Sequence, residues 1–288
     1  MPAGIDPITV VIVHRNSADA CIETIAGFRR QSITTDIVVV DNASAPAERA
    51  RLAAISPPVA IIELGDNLGF GPTADVGLRR WLANGNGEWV IVAPHDARLE
   101  PGTLETLFAA LEGQGPVGLV CADVGDQARP MVDPFLGAIP GPALGHAGFE
   151  PADFPHGTLL VAHRACLGEI GLFDERYFAY GEEADLGLRA RRAGWQVGVV
   201  RGAMVANPGT SGNGAVVDYL KQRNTLLLLR DHAGRWPVVF RSLMAIGQLV
   251  WGRVRPSTRA PWFHPRARWL ALRDGWLQRT GPPPSELW

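Results

Sequence analysis

The chain has 288 residues, 47% of them hydrophobic and 19% charged, with a formal net charge of −2. These values suit one large globular domain or one domain with an appendage, exclude a disordered chain, and give no global signal for a polyanion such as nucleic acid. Cys21, Cys121 and Cys166 stand far apart with no C-x-x-C pair, which argues against a disulfide framework or a zinc site and for a reducing compartment.

The start, MPAGIDPITVVIV, has no basic segment ahead of its apolar run, so no signal peptide is expected. No apolar run reaches the roughly 18 to 20 residues that span a bilayer. The expectation is a cytoplasmic protein. Charge is uneven, however: from Tyr219 onward there are twelve Lys/Arg and three Asp/Glu, out of 27 and 29 in the whole chain.

ITVVIVHRNS reads as a buried parallel strand leading into a helix over Ala18–Arg30. DIVVVDNAS repeats the plan and ends in Asp41, Asn42 and Ser44. VAIIELGDNLGFG gives a third strand and a glycine-rich turn, followed by a helix over Thr73–Ala83. WVIVAPHDARLEPGTLETLFAAL gives a fourth strand, a loop with Asp96, and a helix opened by Pro101 and Thr103. Strands alternating with helices predict an α/β domain with a mostly parallel sheet. Ligands of such sheets bind beyond the carboxyl ends of the strands, where Asp41, Asn67 and Asp96 fall.

Gly125 to Pro155 is rich in Gly and Pro with little periodicity, and is expected to be a long functional loop. HGTLLVAHRACLGEIGLFDERY returns to strand, helix and turn. FAYGEEADLGLRARRAGW then places Glu182, Glu183 and Asp185 where a helix begins. Acids suit a helix N-terminus for electrostatic reasons alone, or they form a catalytic cluster. From Tyr219 the pattern is helical, with arginine among Trp, Leu and Phe. Such basic amphipathic helices suit an anionic membrane surface, or packing against the main domain or a partner subunit. The expected division is a domain over 1–218 and a helical C-terminal extension over 219–288.

The ordered set HRNS, VVVDNAS, DNLGFGPTADVGL, PHDARLEPGTL, FDERYFAYGEEADLGLRARRAGW and YLKQRNTLLLLR resembles a family 2 glycosyltransferase with the GT-A fold, a Rossmann-like architecture. The likeness is to its rhamnosyltransferase-type branch and covers roughly Ile8 to Arg230. It implies an inverting enzyme with a UDP- or dTDP-sugar donor, a Mg2+ or Mn2+ ion, and a glycan, lipid-linked or natural-product acceptor. Position by position it implies that Asp41 reads the donor base beside His14 and Asn16, with Asn67 and Gly69 lining the nucleotide pocket. Asp96 matches the metal-holding acid of a D-x-D-like motif. Glu183 matches the usual base, with Asp185 the alternative, and Glu182, His156 and Gly157 face the acceptor. Arg223 and Asn224 match an R-N pair, with Arg223 assigned to the donor.

The chemistry agrees with that division. A departing nucleoside diphosphate needs its developing charge stabilised, a task for a Lewis-acidic metal. The attacking hydroxyl must lose a proton to a general base. On a helix Glu182 and Asp185 share a face and Glu183 points about 100° away. Three positions depart from the family pattern. Ala93 and Pro94 stand where the metal motif has its first acid, Glu183 is a methylene longer than the usual Asp, and Asn207 stands where a histidine is common; His95 and His156 lie near enough to compensate. The alternatives are a nucleotidyltransferase, disfavoured because HRNSADAC lacks a glycine-rich basic loop, and a non-catalytic nucleotide-sugar binder. The basic tail implies peripheral contact with the cytoplasmic membrane face, or a homodimer.

Overall fold

The computed structural model of the protein describes residues 7–84, 87–207, 213–259 and 262–288. Its first elements are β1 (Ile8–His14), α1 (Ala18–Arg29), β2 (Thr35–Asp41), α2 (Pro46–Ala53), β3 (Ala60–Glu63), α3 (Phe70–Asn84) and β4 (Trp89–Pro94). Next come β5 (Arg98–Leu99), α4 (Thr103–Ala109), β6 (Val117–Asp123), β7 (Ala128–Asp133), β8 (Gly137–Pro142) and β9 (Gly148–Pro151). The chain closes with β10 (Leu160–His163), α5 (Arg164–Ile170), α6 (Glu182–Arg192), β11 (Gln196–Ala206), α7 (Gly214–His232), α8 (Arg235–Val254) and α9 (Pro265–Trp276).

The main sheet has the order β3-β2-β1-β4-β10-β6-β11-β5, with β9 added on β11. β1 to β4 run parallel, as their continuous β-branched runs predict. β10 is antiparallel to both neighbours, pairing Leu160 with Val92 of β4 and with Cys121 of β6. That reversal positions the site. The residues entering β10, His156 to Thr158, arrive at the edge where β4 delivers Asp96.

Alternating strand residues feed two apolar layers. Val10, Ile12, Val39 and Ile91 pack with Cys21, Ile25 and Phe28 of α1 and Leu104 of α4. Val11, Val13, Val40 and Val92 pack with Leu78 and Trp81 of α3, Leu167 of α5 and Leu186 of α6. Each such buried side chain contributes roughly 1.5 to 3 kcal/mol.

Two expectations change. The segment 125–155 is not an irregular loop, because it forms the β7–β8 hairpin and the edge strand β9. Asp133 shapes the hairpin turn, its Oδ1 accepting the N–H groups of Phe135 and Leu136 at 2.8 Å each. The prolines hid these strands, yet Pro130 and Pro140 face each other in a ribbon of only two strands, where each strand has an edge that no third strand needs. The basic tail also divides: α7 buries Tyr219, Leu220, Arg223, Asn224 and Leu226–Leu229, whereas α8 exposes a row of large apolar residues. α7 is one continuous helix through position 218. No helix among the described residues is long and apolar enough to cross a membrane.

Candidate active site

The parallel register sets His14 beside Asp41 at the ends of β1 and β2. Both side chains are fully buried, with His14 Nδ1 2.7 Å from Asp41 Oδ1. The Ser17 N–H donates to His14 Nε2 at 3.2 Å, which assigns the ring proton to Nδ1 and makes it the donor to Asp41. Asp41 Oδ2 accepts the Ser44 N–H at 3.1 Å. Asn16 joins the same two loops, its Oδ1 accepting from the Ala45 N–H and its own N–H donating to Ser44 Oγ. The expected base-reading residues thus bind one another across the end of the sheet.

Asn42, next in the chain, ties in the glycine-rich turn. Its Nδ2 donates to Asn67 Oδ1 at 2.8 Å and to the Gly69 carbonyl at 3.1 Å, and its Oδ1 accepts the Leu68 N–H at 2.8 Å. Gly69 has φ +90°, and a Cβ there would lie 2.0 Å from the Phe178 carbonyl oxygen. Only glycine allows that approach. Through it the Phe70 N–H donates to the Phe178 carbonyl at 2.7 Å, locking the turn after β3 to the aromatic turn ahead of α6.

That aromatic turn is strained, with Phe178 at φ 65° and Tyr180 at φ 67°. Arg223 and Asn224, each about 1% exposed, hold it from below. Asn224 Nδ2 lies 2.9, 2.8 and 2.6 Å from the carbonyls of Tyr177, Ala179 and Tyr180. Arg223 donates to the carbonyls of Gly281 at 2.7 Å and Tyr177 at 3.0 Å, and through Nε to Asn224 Oδ1. Arg223 is thus placed under the turn, bonded to the backbone, whereas the sequence assigned it to the donor.

The three acids have three environments. Asp185 is 3% exposed, bonded to Arg189 Nε at 2.8 Å and to His232 Nε2 at 2.7 Å. Burial opposes its charge, but the His232 hydrogen bond and the Arg189 guanidinium outweigh burial and hold its carboxyl below the usual range. Glu182 is 2% exposed, and its Oε2 is buried with no hydrogen-bond partner. Burial, then the neighbouring Glu183, push its carboxyl well up. Burial also raises Glu183, against backbone N–H groups of Glu183, Gly181 and Gly157 and the Lys221 cation. Of this coupled pair Glu182 carries the proton, because it has a single backbone N–H to set against burial, whereas Glu183 has three and a cation to support a charge.

Glu183 Oε1 lies against Gly157, where a Cβ would come within 2.5 Å of it. The neighbours of Gly157 then reach the other acidic station. Both ring nitrogens of His156 are buried without a partner, and the ring lines a cavity of about 320 Å³ with Asp126, Arg129, Thr158 and the β7–β8 hairpin. Thr158 Oγ1 accepts from Asn207 Nδ2 at 3.4 Å. Pairing of β5 with β11, Arg98 opposite Ala206, brings Asn207 alongside the turn bearing half-buried Asp96. His95, beside it, turns its ring edge-on to His14, centroids 5.6 Å apart.

Among the described residues no three His, Cys, Asp or Glu side chains converge as a metal site. Two residues of the site escaped sequence reasoning. Asn42 stood in the sequence only as a polar residue at the end of the second strand, and nothing local marks it as the link to Asn67. Lys221 sits over the rings of Tyr180, at 5.4 Å, and Trp262, at 4.9 Å; its only sequence signal was its place two residues before Arg223.

Known proteins resemble this chain in sequence and in fold. The chain is 30% identical over 239 residues to an N-acetylglucosaminyl-diphospho-decaprenol L-rhamnosyltransferase of Mycobacterium tuberculosis, covering 71% of this chain and 78% of that protein. It is 26% identical over 208 residues to the low-salt glycan biosynthesis hexosyltransferase Agl10 of Haloferax volcanii, covering 67% and 64%. The mannosyltransferase PcManGT of Pyrobaculum calidifontis, solved with GDP-Man and Mn2+, superposes with a TM-score of 0.60 at 14% identity, over 96% of this chain and 88% of that one. GalNAc-T7, solved with UDP, GalNAc and Mn2+, gives 0.64 at 12% identity, over 96% and 57%. These likenesses show the GT-A fold. A family model described as "Glycosyltransferase like family 2" matches residues 6–269, and the chain is a glycosyltransferase belonging to that family.

Proposed function

We propose that this glycosyltransferase inverts the anomeric carbon as it moves a sugar from a UDP- or dTDP-sugar to a hydroxyl of a lipid-linked glycan acceptor, working at a membrane face. The rhamnosyltransferase of M. tuberculosis, whose name specifies a diphospho-decaprenol acceptor, supports the acceptor class. The observation that carries the catalytic reading is the pairing of two unlike acids. Asp96 stands at the end of β4, while Glu183 stands at the start of α6 and is joined to the β4 edge through Gly157, Thr158 and Asn207.

In the reaction the acceptor oxygen attacks the anomeric carbon, and the bond from that carbon to the diphosphate oxygen breaks with its electron pair. The acceptor proton passes to Glu183. A carboxylate whose proton affinity is raised by burial is a stronger base than one in water. Protonated Glu182 donates or accepts a hydrogen bond at an acceptor hydroxyl without adding a second charge. Asp185, committed to Arg189 and His232, positions α6 against α7.

The donor set fits a hard divalent ion held by one carboxylate and completed by substrate phosphates. Asp96 would hold Mg2+ or Mn2+, with the Asn207 side chain alongside. When bound, such an ion supplies Lewis-acid stabilisation of the departing diphosphate. The His14–Asp41 pair and the Asn42–Asn67 link shape the nucleotide pocket in advance of the donor.

The test is nucleotide release from UDP- and dTDP-sugars in the presence of a polyprenyl-diphosphate-linked sugar, with and without divalent ion. Acceptor-dependent release of one nucleotide, with a product of opposite anomeric configuration, is expected. Retention of configuration, or no release from any donor of either class, would overturn the reading.

A further inference from the structure

α8 is a 20-residue helix, Arg235–Val254, about 30 Å long. Its inner side is conventional, with Pro237, Val238, Ser242, Ala245 and Gly252 buried. Its outer side is not. Trp236, Phe240, Leu243, Ile246, Val250, Trp251 and Val254 are all exposed, Trp236 at 81%, Val254 at 68% and Leu243 at 63%. With Gly247, also exposed, they fall within an arc of about 140° at 100° per residue. No charged residue interrupts that arc. A continuous apolar face of this length marks an interaction site.

Charge chooses the occupant. α8 contains no Asp or Glu, and its exposed arginines stand at its ends: Arg235 opens it, Arg253 lies in the last turn, and Arg255 just beyond stacks on Trp251 at 4.9 Å. Arg241, in mid-helix, turns inward to Gln222 at 2.9 Å. A second copy packed antiparallel along the stripe would bring arginine-bearing ends together with no acid on the helix to offset them. An anionic bilayer meets an apolar stripe framed by arginine and tryptophan without that conflict. The helix is not apolar enough to cross the bilayer, so it would lie in the interface.

The stripe continues toward the acceptor side of the site. Phe135, at the exposed tip of the β7–β8 hairpin, packs edge-on against Phe240 with centroids 5.3 Å apart. Gly137 of the same hairpin sits against Thr225 of α7. Thr225 Oγ1 donates to the Lys221 carbonyl one helical turn earlier, and Lys221 lies over Tyr180 beside the Glu183 turn.

We propose that the outer face of α8, extended by Phe135 and Leu136 of the hairpin tip, docks on an anionic lipid bilayer and presents the acceptor side of the site to lipid-linked substrate. This deepens the reading above and rests on its lipid-linked acceptor. The experiment is co-sedimentation of the full chain with phosphatidylcholine vesicles, with and without about one-third phosphatidylglycerol. Binding at least about tenfold tighter to the anionic vesicles is expected, falling as salt rises.

Leu243→Glu with Val250→Glu, both at exposed positions, should cut that binding by on the order of tenfold or more. Melting temperature and transfer to a short water-soluble acceptor should stay unchanged. Equal binding by variant and wild type overturns the proposal. So does absence of binding together with a dimer that the same variant dissociates, which would make a second copy the occupant. The two readings fail separately: vesicle binding without any sugar transfer sinks the catalytic reading alone, and transfer to a soluble acceptor without vesicle binding sinks the docking alone.

Discussion

The two rims of the cleft handle their polar groups in opposite ways. At the ends of β1 to β3, His14, Asp41, Asn16, Asn42 and Asn67 bind one another or nearby backbone. At the α6 rim, both nitrogens of His156 and Oε2 of Glu182 are buried with nothing to bind. A buried polar group without a partner costs roughly 1 to 3 kcal/mol, a cost that a hydroxylated ligand bound at the second rim would relieve. On the function proposed above, the first rim is preorganised for the nucleotide and the second is completed by the acceptor.

The sharpest way to break this contrast is Glu183→Gln. The amide keeps the shape and removes the base, so turnover should fall by roughly 10² to 10⁴ while donor affinity is retained. Turnover is measured by nucleotide release and donor affinity by titration calorimetry. Loss of donor binding in parallel would place Glu183 on the donor rim and erase the distinction.

Asp185→Ala should act on stability instead. It strips a buried partner from Arg189 and His232 and should cost about 3 to 5 kcal/mol, read by urea unfolding. The pH dependence has a definite sign. Asp185 has a depressed folded-state pKa, so its contribution is present above the unfolded carboxylate value, near 3.9, and is lost as pH falls through the folded value. Wild type and variant should therefore converge in acid. A difference independent of pH would show that the pair is not what Asp185 contributes.

Asn42→Ala tests the other rim. It frees the Leu68 N–H and the Asn67 side chain and loosens the turn that Gly69 holds against Phe178. The donor KM should rise about 5- to 30-fold, the equivalent of roughly 1 to 2 kcal/mol, with kcat little changed. A fall in kcat at constant KM would mean that the turn serves the chemistry rather than the nucleotide.

These residues differ in how far they could be read beforehand. β1 to β4 were legible, because continuous β-branched runs leave few options, and so were the acids and Asn67 at their ends. The start of α6 was legible from Gly181 followed by acids. Arg223 was not, since its neighbours on the helix say nothing about carbonyls 46 to 58 positions away in Gly281, Tyr177 and Arg176. α7 and α8 share a composition of leucine, valine and arginine, yet one is enclosed and the other leaves its outer face bare. What separates them is cover by α9, whose Gly275 admits Leu226 of α7, a tertiary fact that periodicity does not carry. The β7–β8 hairpin was missed because proline reads as a strand breaker until both of its neighbours in space are known.

The finest test concerns Lys221, which touches both rims' logic without belonging to either. It lies over Tyr180 and Trp262, and its charge is one of the influences favouring ionised Glu183 against the burial that raises it. Glu183 accepts a proton only when ionised, so the acid limb of kcat/KM follows its titration and should lie above the ordinary glutamate range. Lys221→Gln removes a lowering influence, which moves the limb to still higher pH. Activity on the acid side should fall by about two- to tenfold, a small effect because the lysine is exposed and screened, while the plateau at higher pH stays level. Lys221→Arg should restore the limb. A uniform loss at every pH would instead mean that the cation acts on a substrate phosphate, which would make this part of the second rim a charge-recognition site for the acceptor.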